Sequence, residues 1–142
     1  MFKTILVAID GSEVSKKALE AAIDEAKIRS SRLNAVYVIE TGGFESIPTD
    51  SASELIYSRF ESVGQTALKE GEELAEKHNL QLNTFIKQGH AGEEILSLAD
   101  EIKADLIVMG TKGKSNIDRM LIGSVTEYVI SHCKVSTMVV RV

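Results

Sequence analysis

Short, almost continuous apolar runs alternate along the chain with stretches of helical periodicity. Thr4 to Ile9 is rich in β-branched residues and nearly free of polar ones, the pattern of a strand covered on both faces. Beyond Asp10-Gly11-Ser12, the stretch Val14 to Ile28 repeats small and apolar residues at Ala18, Ala22 and Ala26, beside Leu19 and Ile23. That spacing predicts a helix with Ser12 at its N-cap. Leu33 to Ile39 predicts a second strand. Thr41 to Pro48 carries paired glycines and the only proline, and predicts a loop. Ile56, Phe60, Val63, Ala67, Gly71 and Leu74 follow at gaps of 4, 3, 4, 4 and 3, the buried stripe expected of a long helix. Gly64 and Gly71 lie inside it, each costing about 1 kcal/mol relative to alanine, with close packing and bending both open as reasons.

Leu82 to Ile86 predicts a third strand, bounded by Gly89. Ile95, Leu98, Ala99 and Ile102 mark one face of a third helix. Asp105 to Met109 predicts a fourth strand ending at Gly110, Val125 to His132 a last helix, and Ser136 to Val142 a fifth strand. The order βαβαβαβαβ predicts an α/β fold: a five-stranded parallel sheet with helices on both faces, Rossmann-like. In such sheets ligands bind beyond the carboxyl ends of the strands. Three places therefore come forward: Asp10-Gly11, Ile39-Glu40, and the loop opening at Gly110.

With 142 residues the chain is expected to form one domain, 1–142. A net charge of −5 argues against general affinity for nucleic acid, where a basic face supplies most of the binding. The opening apolar run is too short to span a bilayer and lacks a small-residue cleavage site, so a buried strand and no membrane partner are expected. Cys133 is the single cysteine, which removes disulfide frameworks and thiolate zinc sites and suits a reducing, cytoplasmic compartment. It reads as a small, partly buried apolar residue, and His90 as a solvated turn residue ahead of the third helix.

Candidate chemistry concentrates in Gly110-Thr111-Lys112-Gly113-Lys114-Ser115-Asn116, followed by Gly123-Ser124-Val125-Thr126-Glu127. From Gly110 to Arg119, three basic residues stand against Asp118, a local charge of +2 in an acidic chain. Ser124 and Glu127 have capping-box spacing, which would start the final helix beside this loop. Glycine turn, lysines and helix N-terminus together suit an anion, most naturally phosphate. Gly113-Lys114-Ser115 is no Walker motif, because the first glycine that motif needs falls on Val108. Nor does a dinucleotide fingerprint follow the first strand. From so short a motif alone, an ordinary glycine-rich connection with solvated lysines is favoured. Its length, charge and position at a strand's carboxyl end shift the balance toward phosphate.

The spacing Gly110-x2-Gly113-x9-Gly123-Ser124 resembles the nucleotide-binding signature of the universal stress protein family, in its ATP-binding branch. Lys3 to Ser12 resembles that family's opening strand and turn, and Ala104 to Gly110 its fourth strand, so the likeness spans nearly the whole chain. The resemblance implies an ATP-binding, cytoplasmic stress or signalling protein whose nucleotide state acts on an unknown protein partner. It places Asp10 and Val38 at the adenosine end, with Ala8 nearby. Gly110, Thr111, Lys112, Gly113, Lys114, Ser115 and Asn116 would wrap ribose and phosphates, and Gly123, Ser124, Val125 and Thr126 would complete the phosphate side. Mg²⁺ or Mn²⁺ is expected on the phosphates, with no protein metal site and no catalytic residue. A slow ATPase or self-phosphorylating enzyme, using Ser115, Ser124 or Thr126 as acceptor, is the alternative. A homodimer through Ser136 to Val142 is expected, because that strand has almost none of the charges that normally guard a sheet edge.

Overall fold

The computed structural model describes residues 1–41, 51–111 and 123–141, with residues 51–53 described by their backbone alone. Nine elements follow the expected alternation: β1 (Thr4–Ala8), α1 (Glu13–Arg29), β2 (Arg32–Glu40), α2 (Ser51–Glu76), β3 (Leu82–Gly89), α3 (Ala91–Glu101), β4 (Leu106–Gly110), α4 (Ser124–His132) and β5 (Ser136–Val140). The strands form one sheet in the order β3-β2-β1-β4-β5, and every pairing is parallel.

The alternation of side chains along a strand divides the core in two. Ile5, Val7, Leu33, Ala35, Tyr37, Leu106 and Val108 face α1 and α2. Leu6, Val36, Ile107 and Met109 face α3 and α4. β1, in the middle, is covered on both sides, and Ile5, Leu6 and Val7 are wholly buried. Such a strand has no room for polar residues, hence its unbroken apolar run.

Both ends of α1 follow from its sequence. The Ser12 hydroxyl accepts the Ser15 N–H, as its N-cap position predicts. Ser30 ends the helix in the left-handed conformation, and the Ser30 and Ser31 N–H groups both return to the Ala26 carbonyl. Ala18, Ala22 and Ala26 are completely buried, and their short side chains bring the helix close to the sheet.

α2 follows the predicted stripe only in its second half, where Gly71 is buried and Ala67 and Leu74 pack against the core. Ile56, Phe60 and Val63 are about two-fifths exposed, and the most buried line runs through Gly64, Leu68, Gly71 and Ala75. The reason is steric. A β-carbon at Gly64 would stand 2.5 Å from the Tyr37 ring, and one at Gly71 would stand 3.0 Å from Leu19 and 3.2 Å from Leu82. Close packing, rather than bending, accounts for both glycines: the helix rests on the sheet through its smallest residues.

At the amino ends of the central strands, the Asp105 carboxylate accepts the Lys3 N–H at 2.9 Å and the Thr4 N–H at 3.0 Å. Its own N–H donates to the Thr4 carbonyl. Partial burial pushes the Asp105 carboxyl up, but the backbone donors of Thr4 and Lys3 and the nearby N-terminal charge outweigh this and leave it below the usual aspartate value. One side chain thus sets the start of β1 against β4.

β5 lies at an edge, as the dimer expectation requires, but its faces are not both open. Met138 and Val140 pack against the α1 side of the core. Val142 lies outside the described residues.

Candidate functional site

The sheet order reverses between β1 and β4, and the two connections there leave toward opposite faces. Beyond the carboxyl ends of these strands is a cavity of about 280 Å³. Parallel sheets open such a crevice where neighbouring connections diverge.

One wall is apolar and built by the sheet: Ala8 from β1, Val36 and Val38 from β2, and Met109 from β4, with Ala91 and Ile95 of α3 closing it. The other wall is polar. Asp10 and Ser15 contribute from the β1–α1 turn, Gly110 from the end of β4, and Gly123, Ser124, Val125 and Thr126 from the start of α4.

The β1–α1 turn is tightly organised. Gly11 takes φ 84°, a backbone conformation that side chains disfavour, and this lets the chain double back. The Asp10 carboxylate accepts the Ser12 N–H at 2.9 Å. The Ser15 hydroxyl donates to the Ser12 carbonyl at 2.9 Å and accepts the Asp10 N–H at 3.3 Å. Asp10 is therefore held at the mouth with its orientation set from below. Burial, and then the charge of Asp10, push the Tyr37 hydroxyl above the ordinary tyrosine value.

β4 and α4 meet in a hydrogen-bonded corner. The Thr126 hydroxyl donates to the Gly110 carbonyl at 2.8 Å, the Thr111 N–H donates to Val140, and the Gly123 N–H donates to Thr111. A β-carbon at Gly110 would press within 2.9 Å of both Val14 methyl carbons, so glycine is what lets β4 pass under α1.

The start of α4 departs from the expected capping box. Gly123 is the N-cap, and Ser124 is already the first helical residue, one position too late for its hydroxyl to cap. The Gly123 carbonyl accepts the Glu127 N–H, which puts Glu127 beyond the position a capping box needs. With glycine at the cap, no side chain among the described residues caps the helix, and Gly123 to Thr126 line the cavity. α3 contrasts with it. His90 caps that helix through Nδ1, which accepts the Glu93 N–H at 3.1 Å, and the Glu40 carboxylate accepts the Ala91 N–H at 2.9 Å. His90 is thus a cap residue and not merely a turn residue, and its ring stands edge-on to Tyr128 at 4.8 Å. Cys133 is half-buried, its thiol donating to the Val135 carbonyl.

Of the residues singled out from the sequence, Ala8, Asp10, Val38, Gly110, Gly123, Ser124, Val125 and Thr126 converge on this one cavity. Thr111 stands beside it with its backbone engaged in the β4–β5 corner. Lys112, Gly113, Lys114, Ser115 and Asn116 lie outside the described residues. Sequence reasoning missed Ile9, Ser15, Val36, Ala91, Ile95 and Met109. Strand alternation could have found Val36 and Met109, which share a sheet face with Val38 and Ala8. Among the described residues no cluster of three or more histidine, cysteine, aspartate or glutamate side chains could hold a metal ion. No described helix is long and apolar enough to cross a membrane.

Residues 1–141 match the family model described as "Universal stress protein family". A universal stress protein of Methanocaldococcus jannaschii is 38% identical over 141 residues, covering 99% of this chain and 83% of its own length. Among solved structures, the universal stress protein UspA from Lactobacillus plantarum superposes with a TM-score of 0.91 at 25% identity, covering 99% of this chain and 98% of that one. A universal stress protein solved in complex with cAMP shares the fold, with a TM-score of 0.75 at 24% identity over 97% of this chain and 96% of that one. The chain belongs to the universal stress protein family.

Proposed function

We propose that this protein binds ATP in the cavity between β1 and β4, and that its nucleotide state regulates a protein partner in the cytoplasm. The observation that carries this reading is the pairing of an apolar sheet wall with an α4 N-terminus that begins on glycine and that no side chain among the described residues caps. Uncapped N–H groups at a helix start suit phosphate oxygens by hydrogen bonding and by the helix dipole. The adenine nucleotide held by one solved neighbour agrees with this choice of ligand class.

The residues present fit the group. Val36, Val38, Ala8 and Met109 offer a flat apolar surface for a purine. Asp10, fixed by Ser12 and Ser15, has acceptor capacity for ribose hydroxyls. A volume of about 280 Å³ lies near the low end of small-molecule sites, about 300–1,000 Å³. It suits the nucleoside, with the phosphates running along Gly123 to Thr126. Mg²⁺ or Mn²⁺ would be held chiefly by the phosphates.

Regulation is preferred to turnover because Asp10 is the single carboxylate lining the described cavity, and a backbone N–H already occupies one of its oxygens. Thr126 is a poor phosphate acceptor, since its hydroxyl is committed to Gly110. Slow hydrolysis or self-phosphorylation at Ser124 is the second reading. We also propose a homodimer through β5, whose outer edge pairs with no other strand among the described residues.

Nucleotide released by acid from freshly purified protein tests the proposal. Recovery of ATP or ADP is expected. Absence of any adenine nucleotide, together with no uptake from millimolar ATP and Mg²⁺, contradicts it. Phosphate release slower than a typical kinase turnover, about 1–100 s⁻¹, separates the regulatory reading from an efficient enzyme.

A further inference from the structure

Two helices begin at the cavity: Ala91 of α3 lines it, and so do Ser124 to Thr126 of α4. On dipole grounds alone either N-terminus could receive an anion. The protein treats them differently. At α3 an anion is already resident, the Glu40 carboxylate on the Ala91 N–H at 2.9 Å. Glu93 and Glu94 add negative charge to the same first turn, and His90 takes the Glu93 N–H. At α4 the cap is glycine and the first-turn acid is Glu127 alone.

We infer that Glu40 sets the polarity of the bound nucleotide: it neutralises the start of α3 and turns the phosphates toward α4. Glu40 can do so because of its place in the sheet. It is the last residue of β2, in register with Gly89 of β3, and the Thr41 N–H returns to the Gly89 carbonyl. This pairing fixes the end of β2 beside the start of α3. Glu40 is thus a positioning and specificity residue, acting by exclusion. The inference rests on the nucleotide-binding reading and adds to it the device that orients the ligand.

Inorganic tripolyphosphate is the probe, because it carries the phosphate chain without a base to orient it. Amide NMR follows its binding to the wild type, to Glu40→Ala and to Glu40→Gln. The glutamine retains an acceptor for the Ala91 N–H and removes the charge. In the wild type, saturable shifts are expected at Ser124 to Thr126 and not at Ala91 to Glu93. Both variants should gain saturable shifts at Ala91 to Glu93, with apparent affinity there raised about two- to fivefold, the scale of one helix-terminal charge. ATP should then show weaker preference for a single orientation, read as reduced shifts at Ser124 to Thr126 for the same occupancy. If Glu40→Gln behaves as wild type, or only Glu40→Ala changes and does so by loosening α3, Glu40 is a structural cap and the inference fails. If the wild type shows no shifts at Ser124 to Thr126 with tripolyphosphate or ATP, the nucleotide reading fails instead.

Discussion

Thr126 donates its hydroxyl to the carbonyl of Gly110, and this buried bond of 2.8 Å locks the first turn of α4 to the last residue of β4. The two polar components of the candidate site, a strand end and a helix start, are held in fixed relation by one side chain.

Thr126→Val removes the donor and leaves the Gly110 carbonyl without it in a buried corner. The expected loss is about 1–3 kcal/mol, the usual cost of stranding a buried polar group. Thr126→Ser should recover most of it. Urea denaturation measures both, and a valine variant as stable as wild type would show that the corner does not depend on this bond.

Gly64→Ala tests how α2 is seated. Alanine is the better helix former by about 1 kcal/mol, so propensity alone predicts a more stable protein. The added carbon would stand 2.5 Å from the Tyr37 ring, and overpacking of this kind costs about 1–3 kcal/mol. Net destabilisation is expected in thermal unfolding. A higher melting temperature would mean that α2 lies further from the sheet than described.

The same glycine shows how far the sequence could be read. Strand positions were legible because β1 and β4 are covered on both faces and must be apolar throughout, and the strand-to-helix alternation then dictated a parallel sheet. Asp10 and Gly110 were legible as site residues because their strands end there. The face of α2 was legible only from Ala67 onward: a periodicity search follows large apolar residues such as Ile56, Phe60 and Val63, which are exposed, and passes over Gly64, through which the helix approaches Tyr37. Glu40 came forward only as a strand end, because its role at α3 depends on a tertiary contact, the end of β2 meeting the start of a helix 51 residues later. His90 was read as a turn residue, although its cap is local, on the N–H three residues on. At α4, Ser124 and Glu127 have capping-box spacing, yet the helix begins at Ser124 and the cap falls on Gly123.

Asp105 should contribute to the acid sensitivity of folding. Its folded value is lowered, so the stabilisation is present above the unfolded aspartate value, about 3.9, and is lost as pH falls through the folded value. Urea midpoints taken from pH 7 to pH 2.5 should decline less steeply on the acid side in Asp105→Asn than in wild type. Parallel curves would show that the carboxylate does not couple to the backbone of Lys3 and Thr4.

The proposed dimer has a test in the outer edge of β5. Because the Val140 carbonyl receives the Thr111 N–H, Val140 directs its backbone groups at β4, and alternation turns those of Val139 outward. Val139→Pro therefore removes an outward donor, with little effect on β4 pairing. Wild type should sediment as a dimer at micromolar concentration and the variant as a monomer. A monomeric wild type would contradict this interface.

The central claim, that the β1–β4 cavity is an adenine nucleotide site, is tested most directly by titrating ¹⁵N-labelled protein with ATP and Mg²⁺ and following each backbone amide. Saturable shifts are expected at Ala8, Asp10 and Val38 on one side and Ser124 to Thr126 on the other, with amides at the Asp105 end of the sheet unmoved. Saturation without movement at these positions, or no saturable response at millimolar ATP, would contradict it.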